Sequence, residues 1–183
     1  MRLIRRPWIW LARFRQRRGY GVHSPFAYNF LHGVVYERTP YYAFASLARL
    51  HPWWMRLMSG YPIRCRRLLF RLANYAHPRT IAVIGDRPIE QAYFQAAVPS
   101  AQLTRQQGDL IFVAHEALPA FSLPQMPPSG MVVAEGIHHD QASLAAWKLM
   151  KDDPQTAVTF DLYDYGIAFF NHKLNKQHYK VNF

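Results

Sequence analysis

Four side chains able to carry a proton or ligate a metal, His115, Glu135, His138 and His139, follow closely on apolar runs in the second half of the chain. The runs, "DLIFVAH" and "GMVVAEG", have the length and composition of buried strands. The C-terminal ends of such strands are where open α/β sheets bind their ligands. Glu135 and His138 are the candidate catalytic residues, as a carboxylate and an imidazole suited to moving a proton. Together with His115 and His139 they also have the residue types of a metal or base site. One carboxylate is a poor holder of a hard divalent ion, and the adjacent His138 and His139 cannot point the same way on a regular element. No metal is therefore assigned, and the competing role for these histidines is at the surface or at a helix entrance.

A second group lies upstream in "RTIAVIGDRPIEQAYF", Arg79 to Phe94. An apolar run reaches Gly85 and a helix is predicted from Pro88, the place where nucleotide-binding α/β folds carry a glycine-rich loop. Gly85, Asp86 and His115 are the candidate cofactor contacts. Only one glycine is present, however, and Asp86, Arg87 and Pro88 stand where further glycines would let a cofactor approach the backbone. Pro88 has no amide to offer. Asp86 suits a helix N-cap. The side chain of Arg87, or of a neighbour, is expected to occupy the volume a cofactor would need.

The elements that must hold these groups follow from periodicity. Strands are predicted over 81–85, 109–113 and 131–134, with a brief one in "AQLTR" and a hairpin of about 156–162 and 166–170 around a Tyr-Asp-Tyr-Gly turn. Helices are predicted in "RRLLFRLANYAHP", from Pro88 to Ala97, and in "HHDQASLAAWKLMKDDP". The segment "EALPAFSLPQMPPSG" is too rich in proline for a long helix. Strands alternating with helices imply a mainly parallel sheet, and the final hairpin implies one reversed strand. The fold class is therefore α/β, with residues 65–183 as its sheet-bearing domain and residues 1–64 as a basic, aromatic-rich helical segment.

That N-terminal segment carries most of the charge. Residues 1–71 hold fourteen arginines and one acid, Glu37, whereas the rest of the chain is slightly acidic; the whole is +11. In residues 1–18, Leu3, Ile4, Trp10, Leu11 and Phe14 fall on one side of a helix and Arg2, Arg5, Arg6 and Arg13 on the other. The expected arrangement packs the apolar stripe on the protein's own core. The alternative is an anionic partner, RNA or a membrane surface, held through the arginines. Farther on, Ser24 and Pro25 form a helix start with His23 at its entrance. Trp53, Trp54, Met55 and Met58 suit an aromatic core better than a ligand pocket. The lone Cys65 excludes an internal disulfide. The absence of a membrane-length apolar run or a secretory signal core predicts a cytoplasmic protein, peripheral to the membrane if the basic helix binds one.

Taken together, "GVHSPFAYNFL", "RRLLFRLANY", "HPRTIAVIG", "DLIFVAH", "AWKLMKDDPQTAVTFDLYDYGIAFF" and the ending "KQHYKVNF" resemble one bacterial branch of small S-adenosylmethionine-dependent methyltransferases, similar to catechol-type O-methyltransferases. The resemblance implies a Rossmann-like methyltransferase fold. Several of the family's functional residues have no counterpart here. Val83 stands where the first strand carries an acid, and "AQLTRQQG" offers no carboxylate for a ribose. Gly85 precedes Asp109 by only 24 positions, so a strand and its helix are expected to be missing and the fold to be truncated. Ala114, Glu135 and Gly136 replace the carboxylates that hold the family's metal. Two functions follow as expectations. The first is a degenerate, methyltransferase-like binding or assembly module, with a protein partner or a second copy of itself and with impaired or absent cofactor binding. The second is an active O-methyltransferase using S-adenosylmethionine through an unusual site.

Overall fold

A computed structural model describes residues 22–51 and 63–183. The basic segment Arg2–Phe14 and the Trp53–Met58 cluster lie outside the described residues. The first described helix, α1 (Pro25–Phe30), begins as its sequence predicts: the Ser24 side chain accepts from the Ala27 amide and Pro25 takes the first helical position. His23, just before the cap, is exposed. One wider turn, Leu31–Val35, continues α1, and α2 (Ala43–Ala48) and α3 (Ile63–Ala76) follow.

The sheet then builds from β1 (Thr80–Ile84), β2 (Gln102–Thr104), β3 (Leu110–Val113), β4 (Met131–Glu135), β5 (Val158–Asp161), β6 (Tyr165–Phe169) and β7 (Gln177–Lys180). Helix α4 (Pro88–Ala97) links β1 to β2, and α5 (Gln141–Asp152) links β4 to β5. The strand order is β2-β1-β3-β4-β6-β5-β7. β6 alone runs against its neighbours β4 and β5; the other pairings are parallel. The α/β class, the mainly parallel sheet and the reversed hairpin are thus present. β7, which the sequence did not suggest, adds an edge beside β5.

Alternation along each strand sorts side chains onto two faces. Ile81, Val83, Leu110, Phe112, Val133 and Phe160 share one apolar cluster with Phe30, Leu31, Leu68 and Leu72. Ala82, Ile111, Val113, Val132 and Ala134 share the other with Trp147 and Met150 of α5. Helices of the N-terminal segment therefore complete the same core as the sheet. Cys65 is buried in it, with its sulfur 3.9 Å from Asp164 Oδ2. Outside these clusters, α3 and α4 are tied by a buried polar chain. Arg66 Nε donates to Glu90 at 2.8 Å, its Nη1 lies 3.1 Å from His51 Nδ1, and His51 Nε2 lies 3.1 Å from the Tyr93 hydroxyl.

Candidate functional site

The C-terminal ends of β1, β3 and β4 bring the sequence-predicted residues to one edge. At the end of β1, Gly85 has φ +109°, a region that L side chains rarely adopt. A Cβ there would lie 2.5 Å from Ala114 Cβ and 3.3 Å from a Glu116 oxygen. The glycine is thus explained by close approach of the chain leaving β1 to the chain leaving β3, without any ligand. Ala114 N–H donates to the Ile84 carbonyl at 2.9 Å and fixes that approach.

Asp86 does not cap α4. Arg87 occupies the N-cap position without a capping bond from its side chain, at φ −137° and ψ 63°, outside the left-handed region, and Pro88 begins the helix. The backbone places the cap one residue later than the sequence suggested. That frees the Arg87 side chain to reach back across the strand ends.

Its guanidinium fills the space between β3 and β4. Nε and Nη2 donate to Glu135 Oε2 at 3.0 and 2.7 Å, while Nη1 and Nη2 donate to the two oxygens of Glu116 at 2.8 and 2.6 Å. Nη2 also lies 3.1 Å from His115 Nδ1. That nitrogen is 3.0 Å from Glu116 Oε2, so it can accept from Arg87 or, when protonated, donate to Glu116. The His115 amide donates to Glu135 at 3.2 Å. Glu135 is buried, with its side chain 2% exposed, so its charge has to be met inside the protein. Burial works against the Arg87 cation, but hydrogen bonds and charge from Glu135 and Glu116 outweigh it and raise its pKa. Burial likewise pushes the Glu116 carboxyl up, and the bonds from Arg87 bring it below its ordinary value.

Among the described residues, His115, Glu116 and Glu135 are the one group whose ligand atoms could surround a metal ion, all within 4.8 Å of one another. Arg87 Nη2 contacts an atom of each at 2.6–3.1 Å and so takes the position of the cation. Glu116 was not anticipated. It lies just beyond β3, in a turn whose side-chain direction no periodicity specifies.

The remaining histidines separate, as their adjacency requires. His138 turns to Asp161, with Nε2 2.9 Å from Oδ2, and stacks on Tyr163 with ring centroids 5.0 Å apart. His139 lies against His115 at 4.5 Å between centroids and pairs with Asp140 at 2.9 Å. Glu135 and His138 therefore do not converge on one proton. On the β2 side of Gly85 a cavity of about 440 Å³ remains, lined by Val83, Ile84, Gly85, Asp86, Gln91 and Arg105. Arg87 thus fills the part of the edge facing β3 and β4 and leaves the part facing β2 open. Comparison with known proteins returned no matching family model and no matching curated sequence. No helix among the described residues is long and apolar enough to cross a membrane.

Proposed function

We propose that this chain is a binding or assembly module on a methyltransferase-like frame, with its catalytic edge closed by its own Arg87. The observation that carries this proposal is the position of the Arg87 guanidinium, which saturates Glu116 and Glu135 where a cation or a reacting group would have to sit. Glu135 is then a structural counter-ion and is not available as a base. Gly85 serves chain packing, and Asp86, exposed beside it, has neither a cap nor a paired carboxylate to orient.

One observation favours a second function, an active S-adenosylmethionine-dependent O-methyltransferase: the cavity beside Gly85 is within the size range of small-molecule sites, about 300–1,000 Å³. It contains Arg105 and one carboxylate, that of Asp86, at the strand end. Calorimetric titration with S-adenosylmethionine separates the two. The module predicts no saturable heat up to millimolar ligand. Saturable micromolar binding, weakened by Arg105→Glu, would place the cofactor in that cavity and overturn the proposal.

A further inference from the structure

A different cavity, sharing no residue with the Arg87 edge, lies between α3, the segment after Val35 and the end of the chain. Its volume is about 420 Å³, and Arg38, Arg64, Arg67 and Arg71 line it together with one acid, Glu37. Arg64 and Arg67 lie on aromatic faces, 5.3 Å above Phe183 and 5.0 Å above Phe44. A cation–π contact of this kind holds a guanidinium against the ring while its N–H groups remain able to donate to a ligand. Arg71 is buried, with only 7% of its surface exposed. Its Nε and Nη2 donate to the carbonyls of Val34 and Val35 at 2.6 and 3.1 Å, closing the C-terminal end of that helical turn. No hydrogen bond from Nη1 is formed among the described residues.

Among the side chains that line this cavity, four arginines face a single carboxylate. Glu37 is engaged by the Tyr41 hydroxyl at 2.9 Å. Arg38, Arg64 and Arg67 have no carboxylate partner among the described residues. Residues 1–21 and 52–62 contain arginines and no acid at all, so they have no carboxylate to contribute. Desolvation holds the Arg71 pKa below its ordinary value despite Glu37 and Tyr41. Burying a cation without a matching anion costs free energy that a bound anion would offset.

We infer that this cavity is a binding site for a small phosphorylated ligand. Phosphate oxygens match the forked N–H groups of arginine, the volume is that of a small-molecule site, and Phe44 and Phe183 supply apolar wall. A phosphate on a soluble metabolite and one on a lipid headgroup present the same chemistry, and the test distinguishes them.

The full chain is titrated calorimetrically with pyrophosphate and, separately, by sedimentation with phosphatidic acid and phosphatidylcholine vesicles. Arg64→Gln and Arg67→Gln change exposed side chains and leave the buried Arg71 in place; Arg105→Gln is the control in the other cavity. A soluble ligand predicts one-to-one pyrophosphate binding weakened at least tenfold by Arg67→Gln and by Arg64→Gln, and unchanged by Arg105→Gln. A headgroup predicts that the same two variants lose binding to phosphatidic acid vesicles, with none to phosphatidylcholine. If neither probe shows binding that depends on Arg64 and Arg67, or if Arg105→Gln removes as much as they do, the inference is overturned.

Discussion

Arg87 meets Glu135 through two nitrogens, Nε at 3.0 Å and Nη2 at 2.7 Å on the same oxygen, joining the loop after β1 to the end of β4 across the intervening β3. The pair is a structural tie between strand ends that are not neighbours in the sheet. Removing one member leaves the other charge buried, which costs roughly 3–5 kcal/mol. Arg87→Ala should therefore lower unfolding stability by about that amount in chemical denaturation. Arg87→Ala combined with Glu135→Gln should lose less than the two single changes together, with a coupling of about 0.5–3 kcal/mol. Strict additivity would show that the tie is absent.

Glu116 sets a pH dependence whose sign is fixed. Its carboxyl is raised by burial but held lower overall by Arg87, below the ordinary 4.5. The unfolded chain then binds protons more readily than the folded protein between the two values. Its stabilising contribution is complete above about pH 4.5 and is lost as pH falls through the folded value. Glu116→Gln should flatten that part of an acid-unfolding curve. The effect is small, because the side chain is half exposed and its charge is screened by solvent.

Gly85→Ala tests why the glycine is there. The added Cβ would meet Ala114 Cβ at 2.5 Å on a backbone already at φ +109°. A loss of about 1–3 kcal/mol in thermal or denaturant unfolding is expected in the absence of any ligand. An unchanged midpoint would mean that packing does not explain this residue.

The buried chain through Arg66 gives an independent check on how α3 and α4 dock. Glu90→Ala leaves the Arg66 cation without its carboxylate and should cost roughly 3–5 kcal/mol. Replacing both, as Arg66→Met with Glu90→Leu, should cost much less, since apolar substitution of a buried pair is often close to neutral. Equal losses would show that the pair is not what fixes the contact.

The parts of this structure that were legible in the sequence are those governed by apolar periodicity. Ile81–Ile84, Leu110–Val113 and Met131–Ala134 are strands because each supplies both faces of a doubly covered sheet, and the turn around Tyr163 separates two alternating runs. β7 was not legible: Gln177–Lys180 is a polar edge strand, defined by its pairing with β5 and not by its own pattern. The insertion Asp86-Arg87-Pro88 announced a side chain at the strand ends; Arg87 fills the part facing β3 and β4, while the cavity beside Gly85 stays open. Its partner Glu116 was hidden in a turn, and Asp86 was misplaced as a cap because the start of α4 depends on how the backbone leaves Gly85. The arginine-lined cavity was visible only as charge density, since its walls come from three separated parts of the chain.

The central claim, that Arg87 permanently occupies the strand-end site, is tested most directly by the side-chain Nε–H resonance of Arg87 in a nitrogen-15 spectrum, assigned by its disappearance in Arg87→Lys. Bonded to the buried Glu135, this proton should exchange slowly with water, and the signal should not move as S-adenosylmethionine is raised to millimolar concentration. A rapidly exchanging signal, or one that shifts saturably with S-adenosylmethionine, would contradict the claim, because Arg87 would then be leaving the site it is said to close.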